Sequence, residues 1–138
     1  MYHCGPTVYD TAHIGNFRTF VFNDILRRVF EYNGYKVKQV MNITDVDDKT
    51  IRDSQKDNIS LASFTDIYTK EFYADRDNLN IIPADFYPAA SDYIKEMLDM
   101  TSTLIDKGFA YVTDDGSVYF DISKKYNFNL KIEGIERK

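Results

Sequence analysis

The fold of this chain is decided by its opening stretch, Met1-Tyr2-His3-Cys4-Gly5-Pro6-Thr7-Val8-Tyr9-Asp10-Thr11-Ala12-His13-Ile14-Gly15-Asn16, in which a short apolar lead is followed by small and polar residues. A helical pattern begins near Phe17, so the order predicts a strand, a loop and a helix. Such loops direct backbone N–H groups and the positive end of a helix at phosphate groups. The stretch therefore predicts a site for an anionic ligand, with a nucleotide as the first candidate.

The residues that follow complete a strand–helix–strand unit. Residues 17–33 predict a helix that ends at Asn33-Gly34, and residues 35–43 predict a second strand. In a parallel βαβ unit ligands bind at the carboxyl ends of the strands, so the turns 4–7 and 42–45 are expected to meet in one crevice. The apolar residues that recur at helical spacing are Phe17, Phe20, Val21, Ile25, Val29 and Phe30.

The remainder of the chain predicts helices followed by a hairpin, with no strong pattern after residue 124. A doubly wound nucleotide-binding fold needs more parallel strands than one βαβ unit supplies, so we expect the first part of a longer catalytic domain, truncated after the hairpin. The predicted elements are helices over 49–56, 61–72 with Ser60 as N-cap, and 89–107 before Gly108, then strands 111–113 and 117–122 around Asp114-Asp115-Gly116.

Composition sets limits on the class of protein. A chain of 138 residues with 43% hydrophobic and 15% aromatic residues can bury one core. Its net charge of −5, with ten acidic and four basic residues between positions 57 and 108, argues against a non-specific nucleic-acid binder. Apolar runs are too short to span a bilayer and no leader opens the chain, so we expect a cytoplasmic protein without a membrane partner.

The segment His13-Ile14-Gly15-Asn16 has two interpretations of about equal weight. In adenylyl transfer, charge develops on the α-phosphate, and a ring N–H, a close-approach glycine and a helix N-terminus would stabilise it, with the Asn16 amide as a further donor. Alternatively, His13 caps the helix and Gly15 permits a turn.

Cys4 is the single cysteine, so it forms no internal disulfide. A thiolate at a strand end is a candidate zinc ligand, but one thiolate is not a zinc site, and His3 is expected on the opposite face of the strand. Taken alone, these residues favour a buried free thiol.

The segment 42–49 places three carboxylates beside the predicted crevice. A calcium loop is excluded, because Thr50 and Lys56 occupy the positions where an EF-hand has glycine and glutamate. The remaining alternatives are that the carboxylates cap the following helix, or that Asp45 contacts a ligand.

Several segments, in their order and spacing, together resemble the opening of cysteinyl-tRNA synthetases, which are class I aminoacyl-tRNA synthetases. The resemblance extends from Met1 to about Ile122. It implies an α/β fold with an incomplete, Rossmann-like (HUP-type) parallel βαβ core over 1–56, a connective insertion of helices plus a hairpin over 57–123, and a disordered or truncated tail over 124–138. The segments that carry it are 1–10, 13–18, 33–35, 42–49, 108–111 and 116–121.

The resemblance also implies roles for individual residues. His13 to Asn16 matches the family's HIGH signature with Asn16 in place of its last histidine, so His13 and Asn16 would be catalytic. ATP, with Mg, would bind at Tyr9, His13, Gly15 and Asn16. The cysteinyl group and its adenylate would contact Gly5, Thr7, Thr44 and Asp45. Cys4 would be the first of four ligands to a zinc ion that grips the thiolate of the substrate cysteine and thereby favours it over serine.

The implied activity is cysteine–tRNA ligation, in which L-cysteine is activated by ATP and transferred to tRNA(Cys) by a monomer. The chain has no lysine signature loop, second cysteine, His-and-Glu zinc pair or anticodon-binding domain, so we expect it to be inactive alone. Two alternatives stay open: an ATP-dependent ligase joining cysteine to an amino-sugar, and a non-catalytic relative that binds a nucleotide or a partner.

Overall fold

A computed structural model describes residues 1–122, so the predicted tail at 124–138 lies outside the described residues. The chain forms two compact units, the first over Met1–Tyr93 and the second beginning at Ile94. Each unit is described by itself.

A small parallel sheet organises the first unit. Strand β1 (Tyr2–His3) pairs in parallel with β2 (Val40–Met41), and helix α1 (Ile14–Tyr32) connects them, which confirms the predicted βαβ unit. Parallel bridges continue the pairing beyond the strands and add residues 86–89 on the other side of β2. These bridges join Thr7 to Thr44, Val40 to Phe86 and Ile43 to Ala89.

The second strand is shorter than the predicted range 35–43. Only Val40–Met41 form β2, and residues 35–39 are not in a strand. The Gln39 N–H donates to the carboxylate of Asp85 at 2.7 Å, and its carbonyl accepts from the backbone N–H groups of Asp85 and Phe86. The N–H and C=O groups of Gln39 are therefore bonded to the side chain and backbone of residues 85–86, and are not available to extend the pairing of β2.

The helix boundaries follow local capping. Helix α1 begins three residues before the predicted start because His13 is its N-cap, and it ends as predicted, with Gly34 at φ +86°. Helices α2 (Asp48–Lys56) and α3 (Leu61–Asn78) follow. The N-cap of α3 is Ser60, as predicted, whose Oγ accepts from the Ser63 N–H at 3.1 Å.

Aromatic rings form the centre of the core. Phe17 and Phe20 of α1 meet Phe72 of α3, with ring centroids 6.2 and 5.4 Å from that of Phe72. These rings pack with Val8, Met41, Ile43 and Ile81.

The buried face of α1 is not wholly apolar. Ile25 and Val29 are half exposed, at 54% and 50%, whereas Asp24 and Arg27 are buried. Asp24 accepts from the Ile82 N–H at 2.9 Å, and Arg27 donates to Gln39 and to the Pro83 carbonyl at 2.9 Å. Polar groups therefore anchor the far end of α1 to the loops beside it.

The second unit consists of a helix and a hairpin. The helix predicted over 89–107 is divided into a 3₁₀ turn over Ala90–Tyr93, in the first unit, and helix α4 (Ile94–Asp106). Strands β3 (Ala110–Val112) and β4 (Val118–Phe120) are antiparallel, which confirms the hairpin. None of the helices formed by residues 1–122 combines the length and the apolar character needed to cross a membrane.

Candidate functional site

A polar crevice of about 290 Å³ opens where the loop after β1 reaches the N-terminus of α1. Five of the predicted site residues line it, namely Gly5, Thr7, Tyr9, His13 and Asn16. The other four predicted residues, Cys4, Gly15, Thr44 and Asp45, do not line it. The remaining lining residues are Pro6, Asp10, Thr11, Ala12 and Lys49.

Close packing of the chain against itself requires the glycine at position 5. A Cβ on Gly5 would lie 1.8 Å from the backbone oxygen of Asn42 and 2.8 Å from Cγ of Met41. The Asn42 side chain also accepts from the Gly5 N–H at 3.3 Å. Glycine is therefore needed here because the loop after β1 lies directly against the end of β2.

Thr7 and Thr44 lie opposite each other in the parallel bridge that extends the sheet. The Val8 N–H donates to the Thr44 carbonyl at 3.1 Å, and the Thr44 N–H donates to the Pro6 carbonyl at 3.0 Å. The Thr44 hydroxyl accepts from the Asn42 amide at 3.0 Å. Thr7 thus lines the crevice, while Thr44 lies outside it and is hydrogen-bonded to the loop of Pro6 and Val8 that forms one wall of the crevice.

His13 is the N-cap of α1, so the predicted capping role is confirmed. Its Nδ1 accepts from the Gly15 N–H at 3.0 Å, and its own backbone N–H donates to Oδ1 of Asn16 at 3.1 Å. Since Nδ1 acts as an acceptor, a neutral ring carries its proton on Nε2. The cap therefore selects the tautomer in which Nε2 carries the proton and remains a donor.

Gly15 acts on the crevice through His13. A Cβ at position 15 would lie 2.9 Å from both Nδ1 and Cε1 of the His13 ring, so a side chain there would displace the imidazole. Asn16 uses its carbonyl oxygen in the capping box and retains its NH₂ group as a donor. The first turn of α1 has no acidic residue, so its positive end is not neutralised locally.

The three neighbouring carboxylates have different roles. Asp47 caps α2, accepting from the Lys49 N–H at 2.9 Å, and Asp48 lies in the first turn of that helix. Asp45 does not cap α2, because the backbone N–H and hydroxyl of Ser91 both donate to its carboxylate. Asp45 lines a separate cleft of about 240 Å³ beside α3, which also includes Thr65. The capping prediction is therefore right for Asp47 and wrong for Asp45.

Lys49 is one of the lining residues to which the sequence analysis assigned no role. Its Nζ lies 4.5 Å from the centroid of the Tyr9 ring and donates to the Tyr9 hydroxyl at 3.4 Å. One signal was present in the sequence, since a lysine in the first turn of a helix is unfavourable for the helix dipole and calls for another explanation.

Cys4 has an exposed thiol, so the prediction of a buried thiol is wrong. The neighbouring His3 is half-buried, with its Nε2 2.5 Å from Nε2 of Gln39, and burial is the main cause that lowers the pKa of His3. Within residues 1–122, no three His, Cys, Asp or Glu side chains are grouped so that they could hold a metal ion. A zinc site needs three or four protein ligands, so these residues do not form a complete one.

Parallel strands with a polar crevice beyond their carboxyl ends, facing a helix N-terminus, define an α/β protein with a crevice at the edge of the sheet where this class binds ligands. A family model for the class I (C) tRNA synthetase catalytic domain matches residues 1–136. The chain therefore belongs to this family of class I tRNA synthetases, whose catalytic domain has a Rossmann-like fold.

Curated relatives are similar over nearly the whole chain. A cysteine–tRNA ligase of Chlamydia pneumoniae is 53% identical over 93% of this chain, and one of Chlamydia caviae is 55% identical over 90%. A cysteine–tRNA ligase of Protochlamydia amoebophila is 51% identical over 90%. The matched regions cover 27%, 26% and 26% of these relatives, so the chain spans about a quarter of their length.

Proposed function

We propose that this chain forms the amino-terminal part of the catalytic domain of a cysteine–tRNA ligase, which activates L-cysteine with ATP and transfers it to tRNA(Cys). The family match and the names of the relatives support the reaction class. The single structural observation that carries the proposal is the capping box of α1, which leaves His13 Nε2–H and the Asn16 amide as donors on two residues that line a crevice at a helix N-terminus.

Within this proposal, Nε2–H of His13 and the amide of Asn16 donate to the α-phosphate of ATP. Neither group carries a charge, and both lie at the positive end of α1, so they strengthen as negative charge develops in the transition state. Tyr9 lines the same crevice, and Gly15 leaves space for the imidazole. Mg enters with ATP as part of the substrate.

Cysteine and its adenylate contact the loops after the two strands. Gly5 and Thr7 line the crevice, and Thr44 holds the neighbouring loop. Asp45 lies in the separate cleft beside α3, where Ser91 donates to its carboxylate. Cys4 supplies one thiolate of a zinc site whose other three ligands lie in parts of the protein outside this chain. An exposed thiol at a strand end is consistent with that role.

The finer assignment of the fold is part of the same proposal. Residues 1–56 are the first half of an incomplete HUP-type Rossmann-like core, and residues 57–123 are a connective insertion of helices and a hairpin. The protein is a cytoplasmic monomer. The relatives' names favour tRNA over an amino-sugar as the acceptor of cysteine.

The test is cysteine-dependent ATP–pyrophosphate exchange by the full-length protein, with His13→Ala and His13→Asn compared. Asparagine is a good N-cap but has no ring N–H, so it separates capping from donation. Both variants are expected to lower kcat about 10²-fold, corresponding to about 2.7 kcal/mol, with little change in the KM for ATP.

Thermal melts separate the two variants further, because only His13→Ala is expected to lower the Tm. Wild-type kcat in the His13→Asn variant would refute the catalytic role of the ring. Absence of cysteine-dependent exchange by the full-length wild type would refute the reaction itself. The chain of 138 residues alone is expected to show no exchange above background.

A further inference from the structure

Lys49 occupies a position that is unfavourable for the stability of its own helix. It lies in the first turn of α2, where the helix dipole disfavours a cation and the carboxylates of Asp47 and Asp48 offset that effect. Two of the nearby carboxylates have other partners, since Asp47 caps α2 and Asp45 accepts from Ser91. The salt bridges found among residues 1–122 do not include Lys49.

The ammonium of Lys49 lies instead over an aromatic ring at the crevice. The 4.5 Å separation between Nζ and the Tyr9 ring centroid is that of a cation–π contact, and the 3.4 Å contact with the phenol oxygen fixes it further. Of the ten residues that line the crevice, Lys49 alone is a lysine or arginine. Asp10, the one carboxylate in that lining, accepts from the Thr11 N–H at 2.7 Å.

The donors at the N-terminus of α1 can orient a phosphate group by hydrogen bonding, but they supply no full positive charge. His13 enters the cap as an acceptor at Nδ1, and Asn16 is an amide. The triphosphate of ATP carries several negative charges, and a cation facing the same crevice would compensate part of that charge.

We propose that Lys49 is a further ATP-binding residue, that its ammonium contacts the triphosphate, and that Tyr9 is a positioning residue that holds the ammonium over the crevice. This inference rests on the proposed function in taking ATP as the ligand. Because a full charge attracts the triphosphate before reaction as well as during it, Lys49 contributes mainly to the affinity for ATP. Loss of Lys49 therefore raises the KM for ATP more than it lowers kcat.

The experiment uses the full-length protein and two readouts, the dissociation constant for ATP measured by calorimetry without cysteine, and the KM for ATP in pyrophosphate exchange. Lys49→Ala is expected to raise both values about tenfold, whereas Lys49→Arg, which keeps the charge, is expected to stay within about threefold of wild type. Lys56→Ala is the matched control, because Lys56 is an exposed lysine at the other end of α2.

Substitutions of Tyr9 test the positioning role. Tyr9→Phe keeps the ring face but loses the phenol oxygen, so it is expected to weaken ATP binding less than Tyr9→Leu, which removes the ring and is expected to weaken binding about threefold. A Tm unchanged by Lys49→Ala shows that the effect is on binding rather than on folding.

The outcomes separate this inference from the proposed function. If the wild type shows cysteine-dependent exchange but Lys49→Ala leaves the ATP affinity unchanged, or changes it no more than Lys56→Ala does, the inference alone is overturned. ATP binding that depends on Lys49, in a protein without cysteine-dependent exchange, supports the inference and overturns the proposed reaction. A wild-type protein that does not bind ATP overturns both.

Discussion

The two loops that follow the parallel strands have the same plan and different chemistry. Each leads from a strand end to a helix with a reciprocal capping box, in which the N-cap is His13 for α1 and Asp47 for α2. The first turn of α1 has no acidic residue, whereas that of α2 contains Asp48. A carboxylate cap neutralises a helix end, but an imidazole cap satisfies the backbone and keeps a ring N–H.

This difference indicates which helix end suits an anion. The N-terminus of α1 is uncompensated and faces the crevice, while that of α2 is already occupied by two carboxylates. The second loop instead supports the first, because the Asn42 side chain accepts from the Gly5 N–H and the Asn42 backbone oxygen lies directly against Gly5. One loop is therefore suited to ligand binding, and the other holds it in place.

The largest effect is expected where the two loops touch. Gly5→Ala would place a methyl carbon 1.8 Å from the Asn42 backbone oxygen, which cannot move without disrupting the sheet. We expect the free energy of unfolding to fall by about 3 kcal/mol or more, measured by chemical unfolding of the full-length protein.

Gly34→Ala is the matched control for this change, because its added Cβ meets nothing within 4 Å and only its φ of +86° is unfavourable. It is expected to cost about 1 kcal/mol. Equal costs for the two variants would show that the contact between the loops does not determine the path of the first loop.

A smaller effect, on activity rather than on stability, is expected from Gly15→Ala. The new Cβ would lie 2.9 Å from the His13 ring and displace its donor, so kcat of pyrophosphate exchange is expected to fall about tenfold. Displacing the ring also removes the cap, at a cost of about 1 kcal/mol that the higher helix propensity of alanine offsets, so the Tm is expected to change little. Thr19→Ala, an exposed substitution further along α1, controls for helix propensity, and an equal kcat in both variants would contradict the role of Gly15.

Removing the cap of the second helix is expected to change stability and leave catalysis intact. Asp47→Ala removes the acceptor of the Lys49 N–H, at a cost of about 1 kcal/mol, with kcat close to wild type. Thermal melts and pyrophosphate exchange on the same preparation give both values. A fall in kcat as large as that of His13→Asn would mean that the two helix ends do not differ in function.

The smallest effect concerns the hydrogen bond from the Gln39 N–H to the Asp85 carboxylate, next to β2, and it depends on pH. The Gln39 N–H is the main cause that holds the pKa of Asp85 below its ordinary value of 3.8. The ionised carboxylate of Asp85 stabilises the folded state above pH 3.8, and this contribution is lost as the pH falls through the lower pKa that Asp85 has in the folded state.

Asp85→Ala is therefore expected to lower the Tm at neutral pH, with a difference from wild type that shrinks as the pH falls below 3.8. Asp85→Asn keeps an acceptor oxygen without a charge and is expected to lower the Tm less. A Tm difference between wild type and Asp85→Ala that is independent of pH would exclude the ionised carboxylate as its cause.

The sequence predicted the local features well because their causes lie within a few residues. Ser60 caps α3 through the N–H of Ser63, Gly34 ends α1 in a positive-φ conformation, and the hairpin forms around Asp114-Asp115-Gly116. It predicted less well which side of α1 is buried. Apolar spacing favoured Ile25 and Val29, but Asp24 accepts from the Ile82 N–H, 58 residues away, and Arg27 donates to the Pro83 carbonyl, 56 residues away.

By itself, the sequence determined the helix caps and turns and the position of His13 and Asn16 at a helix start, because these depend on interactions within about one turn of chain. Only the tertiary structure decided that Gly5 lies against Asn42, 37 residues away, that Lys49 contacts Tyr9 across 40 residues, and that Ser91 binds Asp45 across 46. Contacts over such separations depend on how the sheet and helices pack, and the spacing of residues along the chain does not encode that packing.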